Sequence, residues 1–193
     1  MSSARVLVVY GSAHGQTARI AERLREQLAR TGCVAVVARG DSLAPGLRLG
    51  DYDGVIVGAS VIGGKYQDYI ARFVRDHRDA LNRLPSAFFG VSGSAASPYP
   101  ENRAAAASGM ELFLAESGWQ PRLTASIAGA MRYSSYSLFL RFVMRRIARK
   151  NGEVDTRHDR EYTDWVQVRR FADDFRALVR QPAAPARGDL VEA

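Results

Sequence analysis

The sequence predicts an α/β domain on a five-stranded parallel sheet in the order 2-1-3-4-5, with helices on both faces and a long insertion after strand 5. Three observations lead there. Five short apolar runs alternate with segments whose apolar residues recur at helical spacing, the pattern of strands joined by right-handed crossovers. The first run is apolar throughout rather than alternating, as strands buried on both faces are. It leads straight into a polar, Gly-containing turn and then a helix, and open α/β sheets bind ligands at such carboxyl ends, where strand order reverses.

Each element has its own signal. Residues 6–10 are all apolar and read as strand 1. Ile20, Ala21, Leu24 and Leu28 form the apolar stripe of the first helix, with Arg and Glu between them and Thr31-Gly32 as its stop. Residues 33–38 read as a buried strand 2, with Cys33 as an inert core thiol. Residues 55–59 are strand 3. Tyr69, Ile70, Phe73 and Val74 mark one helix that ends before Pro85. Residues 87–91 are strand 4. Met110, Phe113 and Leu114 lie on a third helix stopped by Gly118, and residues 123–128 are strand 5. Trp165, Val168, Ala172, Phe175 and Val179 form the stripe of the last helix. The tail 181–193 is rich in Ala and Pro and is expected to be disordered, which places the domain at residues 1–180.

Composition narrows the class. A chain of 193 residues, 47% hydrophobic and 24% charged, can fold as one globular domain with a full core. Its net charge of +7 points to anionic partners: nucleic acid, lipid or a polycarboxylate. Cys33 is the only cysteine, so no intramolecular disulfide can form. No signal-peptide pattern and no membrane-spanning apolar run occur, so a cytoplasmic protein is expected.

The chemistry concentrates in three loops. After strand 1 come Ser12, Ala13, His14, Gly15, Gln16 and Thr17. The hydroxyls of Ser12 and Thr17 can donate to phosphate oxygens, helix N-terminal N–H groups add donors, and Gly15 allows close backbone approach. The loop is neither GxxxxGK[ST] nor GxGxxG, which disfavours ATP-type and dinucleotide fingerprints. Its plainer reading is a capping turn with Thr17 as N-cap. His14 either touches the phosphate or contributes backbone alone; His77 and His158 have no metal or catalytic spacing and are expected to be solvated. Ser60, Val61, Ile62, Gly63 and Gly64 follow strand 3, and Ser92, Gly93 and Ser94 follow strand 4. Their small residues would let a planar ring approach the backbone. Together the three loops predict a flavin mononucleotide (FMN) site, with no metal.

About 30 residues, 130–161, separate strand 5 from the last helix, where roughly 2–6 would suffice. Residues 132–150 hold six cations and no acid: Arg132, Arg141, Arg145, Arg146, Arg149 and Lys150. On a helix, Leu138, Phe139, Phe142, Val143 and Ile147 share an apolar arc opposite Arg141, Arg145 and Arg149. A basic amphipathic helix suits an anionic membrane surface or a polycarboxylate; a helix packed on its own domain with a solvated basic face is the alternative. Arg and aromatics can also stack bases, but no nucleic-acid motif is present, so no nucleic-acid partner is expected.

The Ser-x-x-Gly-x-Thr pattern from Ser12 to Thr17 resembles the FMN phosphate loop of flavodoxins. Gly58-Ala59-Ser60, Leu84-Pro85-Ser86-Ala87-Phe88-Phe89, Ala128-Gly129-Ala130-Met131-Arg132-Tyr133, Gly152-Glu153-Val154-Asp155-Thr156 and Tyr162-Thr163-Asp164-Trp165 are more specific. They resemble the flavodoxin-like family of bacterial menaquinone-dependent protoporphyrinogen IX dehydrogenases, from about residue 5 to residue 178. One loop departs: Ile62, Gly63 and Lys65 stand where the family carries an Arg-Tyr pair and a His. The resemblance implies FMN-dependent oxidation of protoporphyrinogen IX in haem biosynthesis, with electrons passed to a membrane quinone by an enzyme peripheral on the inner face of the cell membrane. Arg132 and Arg141 are the candidates for substrate carboxylates, since Arg offers a bidentate match; no catalytic acid or base is assigned, because the redox chemistry belongs to the flavin. Two other classes compete. A flavodoxin-like electron carrier is usually acidic, unlike this chain, and an NAD(P)H-quinone reductase lacks a nicotinamide fingerprint here.

Overall fold

The central apolar runs are strands buried from both sides. A computed structural model describes residues 3–131 and 160–180. In chain order the elements are β1 (Arg5–Gly11), α1 (Gln16–Arg30), β2 (Val34–Arg39), β3 (Gly54–Ser60), α2 (Asp68–Asp76), α3 (Arg78–Arg83), β4 (Ser86–Ser92), α4 (Pro100–Ser117), β5 (Leu123–Ala128), β6 (Ala130–Met131), β7 (Arg160–Glu161) and α5 (Trp165–Arg180). Strands β1 to β5 form one sheet, all parallel, in the order β2-β1-β3-β4-β5.

Period 2 sends alternate residues of each strand to opposite faces, and each face has its own core. Val6, Val8 and Phe89 pack with Ile20, Leu24 and Leu28 of α1 and Phe175 of α5. Leu7, Val57 and Phe88 pack with Ile70 and Val74 of α2, Leu81 of α3 and Trp119. The Trp119 indole N–H donates to Ser86 Oγ at 3.0 Å, and that hydroxyl donates to the Leu81 carbonyl at 2.7 Å, so this buried polar pair is satisfied.

Three local expectations need correction. Strand 2 is not buried on both faces: Val34 is 52% exposed and Val36 39%. It is an edge strand, and α1 covers only its Cys33, Ala35 and Val37 side. The helix after strand 3 is two helices, broken at His77 (φ −114°, ψ 12°). His77 is half-buried rather than solvated: its ring stacks on Phe73, and as the Nδ1–H tautomer it donates to the Phe73 carbonyl at 3.0 Å. That side-chain bond serves a carbonyl of the last turn of α2, as cationic and imidazole side chains do at helix ends.

The β6–β7 pair was not foreseen. Ala130 pairs with Glu161 and Met131 with Arg160, antiparallel, and the Tyr162 N–H donates to the Gly129 carbonyl at 3.1 Å. The chain thus returns from the insertion to the point where it left, at the carboxyl end of β5. Residues 132–159, including Arg132, Arg141 and His158, and the tail 181–193 lie outside the described residues.

Candidate functional site

Sheet register brings the three loops to one edge. Gly11 stands opposite Ala59, Ser60 opposite Val91, and Ser92 opposite Ala128, so each loop leaves the sheet at a similar level.

The first loop turns tightly into α1. Gly15 is the N-cap with φ 84°, a left-handed conformation that glycine adopts without a Cβ clash. Its N–H donates to Ser12 Oγ at 2.9 Å. The Ser12 N–H donates to the Tyr69 hydroxyl at 3.2 Å, tying the loop to α2. Thr17 is therefore inside the helix, not its cap. Its side chain is 1% exposed and its Oγ1 has no hydrogen-bond partner. A buried hydroxyl without a partner costs on the order of 1–3 kcal/mol, and a ligand acceptor at this helix end removes that cost. The first turn of α1 carries no acid of its own to offset the positive end of the helix dipole. The N–H groups of Gln16 and Thr17 have no intrahelical acceptor. Buried hydroxyl, free N–H groups and dipole together fit a phosphate.

Gln16 sits elsewhere than a phosphate ligand would require of its side chain. It is 5% exposed, and its amide nitrogen donates to Thr163 Oγ1 at 2.9 Å and to Glu161 Oε1 at 3.2 Å. Its backbone N–H remains part of the loop. His14 is half-buried in the same turn.

The second loop is self-contained. Ile62 and Lys65 exchange backbone hydrogen bonds of 2.9 and 3.1 Å around Gly63 (φ 57°) and Gly64 (φ 80°). Two successive positive φ values define a type I′ turn, which glycine pairs favour. Ile62 is 49% exposed at its base. Below it, the Gln67 amide grips Ser60: Nε2 donates to Ser60 Oγ at 2.6 Å, and the Ser60 N–H donates to Oε1 at 3.2 Å. The Val61 N–H extends the ladder to the Val91 carbonyl at 2.8 Å. In the third loop, Ser92 Oγ accepts from the Ala95 N–H at 3.1 Å, and Ser94–Ala96 makes one 3₁₀ turn. Gly93 and Ser94 are exposed.

Four residues that shape the site carried little signal in the sequence. Tyr69 of α2 and Gln67, the N-cap before it, brace the first two loops. Glu161 and Thr163 reach the phosphate-loop helix across more than 140 residues; only the specificity of the Tyr162-Thr163-Asp164-Trp165 segment hinted at them. Among the described residues no cluster of His, Cys, Asp and Glu can hold a metal. None of the described helices is long and apolar enough to cross a membrane.

A family model described as a flavodoxin domain matches residues 7–158. The chain is 36% identical to the protoporphyrinogen IX dehydrogenase (quinone) of Escherichia coli K12, over 92% of this chain and 98% of that one. It is 35% identical to the protein of the same name from Leishmania major, over 91% and 76%. In fold it is similar to a short-chain flavodoxin associated with a bacterial microcompartment, at TM-score 0.57 and 12% identity over 91% and 99%. An archaeal flavodoxin is similar at TM-score 0.53 and 16% identity over 92% and 99%. What these structures share with it is the fold. The chain belongs to the flavodoxin-domain family, alongside the protoporphyrinogen IX dehydrogenases (quinone).

Proposed function

We propose that the chain is an FMN-dependent oxidoreductase that converts protoporphyrinogen IX to protoporphyrin IX and passes the electrons to a membrane quinone. The observation that carries this reading is 36% identity to an enzyme of that name over almost the full length of both chains. The unpartnered Thr17 hydroxyl in the first loop is its geometric counterpart.

Ser12, Ala13, His14, Gly15, Gln16 and Thr17 would hold the FMN phosphate, with Thr17 through its hydroxyl and Gln16 through its backbone. Ser60, Val61, Ile62, Gly63 and Gly64, with Ser92, Gly93 and Ser94, would border the ring. When bound, FMN supplies the redox chemistry, and the protein orients substrate and excludes water. Arg132 and Arg141 would hold propionates of the tetrapyrrole. The six cations between residues 132 and 150 would seat the enzyme on an anionic membrane, on the inner face, where a lipid-soluble quinone is within reach.

Three measurements test this. Mass spectrometry of the released cofactor should find FMN, about one per chain; FAD would overturn the single-phosphate reading. Protoporphyrinogen IX with a menaquinone analogue should turn over, whereas NADPH with the same quinone should not; the reverse would make the protein a quinone reductase. Replacing Arg141, Arg145 and Arg149 with Glu should abolish sedimentation with anionic vesicles and leave FMN content intact. Equal sedimentation of wild type and variant would remove the membrane assignment.

A further inference from the structure

A phosphate loop needs no contact with the far end of the chain, yet this one has a closed ring of them. Gln16 stands first in α1, one residue before Thr17. Its amide nitrogen donates to Thr163 Oγ1 and Glu161 Oε1, and its amide oxygen accepts from Arg19 Nη1 at 3.3 Å. Arg19 Nη1 also donates to Glu161 Oε2 at 2.8 Å, which closes the ring. Chemistry fixes the orientation of the amide. Thr163 gives its one hydroxyl proton to the Ala128 carbonyl at 2.7 Å, and a carboxylate only accepts, so the amide nitrogen must face both.

The two sides of this ring belong to different parts of the site. Gln16 and Arg19 lie on the first turn of the helix that opens at the phosphate loop. Glu161 is in β7, paired with Ala130 of β6, and Thr163 bonds to the last residue of β5. These residues are the foot of the insertion, where the chain leaves the sheet edge and comes back. A phosphate at Thr17 would fix the first turn of α1, and a fixed first turn holds Gln16 and Arg19 against the foot.

We propose that Gln16, Arg19 and Glu161 are positioning residues that couple the phosphate loop to the foot of the insertion, so that a bound phosphate and a closed β6–β7 foot stabilise each other. The inference rests on the FMN reading. Coupling of this kind is reciprocal: whatever factor the phosphate adds to foot closure, closure adds to phosphate affinity.

The test is amide hydrogen exchange on the full chain, alone and saturated with FMN or riboflavin, with flavin fluorescence reporting binding. FMN should slow exchange in the peptides spanning residues 128–131 and 160–163 by about fivefold or more. Riboflavin, which lacks the phosphate, should not. In Gln16→Ala and in Glu161→Gln the FMN-dependent slowing should vanish, and FMN affinity should drop by a similar factor. A merely structural role would speed foot exchange equally with and without FMN and leave their ratio at the wild-type value. That result overturns the coupling, as does unchanged foot exchange in the FMN-bound wild type. Should Gln16→Ala fail to fold, Glu161→Gln, at a partly exposed site, makes the same comparison. Absence of FMN binding to the wild type would instead overturn the cofactor reading itself.

Discussion

The β1–α1 loop and the β3–α2 loop leave neighbouring strands at the same edge of the sheet, but they are built on opposite principles. The first is buried and incomplete: Thr17 Oγ1 is sealed from water without a partner, and the N–H groups of Gln16 and Thr17 have no intrahelical acceptor. The second is exposed and complete: Ile62 and Lys65 close their own turn, and Gln67 satisfies both the N–H and the hydroxyl of Ser60. An incomplete loop depends on its ligand, so its residue types are constrained by that ligand. A complete loop depends only on its turn, so its other side chains are free to differ. The departure expected at Ile62, Gly63 and Lys65 falls in the second loop.

Breaking the first loop should have the largest effect. Thr17→Asp sets a charge against the phosphate and removes a donor, and FMN affinity should drop at least about 100-fold, since charge-assisted bonds contribute roughly 1.5–3 kcal/mol before repulsion is added. Flavin fluorescence titration measures it; retention of wild-type affinity would move the phosphate site elsewhere. Thr17→Val separates ligand from fold. It should weaken FMN about tenfold, yet leave the apoprotein as stable or up to about 1 kcal/mol more stable, because a buried hydroxyl without a partner is removed. A destabilised apoprotein would mean that Thr17 serves the fold.

The second loop should respond in the opposite sense. Gly64→Val forces a β-branched residue to φ near 80° and should cost on the order of 1–2 kcal/mol of stability. For a chain of this size that is roughly 2–8 °C in Tm. FMN affinity should change far less than in Thr17→Asp. If affinity fell as far while Tm held, the turn would be part of the phosphate site rather than a self-supporting structure.

The same contrast explains what was legible in the sequence. Residues 6–10 were readable as a strand because burial on both faces writes an unbroken apolar run. The stops at Gly32 and Gly118 were readable because both adopt positive φ after a helix, at 85° and 66°. The phosphate loop was readable because its chemistry is local: six consecutive residues hold the hydroxyls, the glycine and the helix start. The break at His77 was not readable, since it depends on a side-chain bond within a helical pattern that shows no Gly or Pro. Nor was the exposure of Val34 and Val36, because an edge strand and a central one can share the same composition. Least visible were Gln16, Arg19, Glu161 and Thr163. Their meeting depends on the insertion returning to β5, and periodicity says nothing of contacts across that distance.

The smallest expected effect lies in that ring and sharpens the comparison by asking how much the first loop's anchor contributes. Burial alone would push the Glu161 carboxyl up. Hydrogen bonds from Arg19 and Gln16, the Arg19 charge and a bond from Trp165 outweigh it and hold the group below its ordinary value. A carboxyl lowered on folding adds stability in full above its unfolded pKa of about 4.3, and that stability is lost as pH falls through the lower folded value. The side chain is about one-third exposed, so the contribution is that of a surface pair, roughly 0.2–1 kcal/mol. The wild type should therefore melt about 1–3 °C above Glu161→Gln near pH 7. The gap should hold above about pH 5 and shrink as the pH falls below that, and it should narrow in high salt, which screens the Arg19 charge. Melts of both proteins across that range decide the matter. No gap near pH 7 would leave the ring's stability to the neutral Gln16–Thr163 bond, which both proteins keep, and the first loop would then be anchored without help from the ion pair.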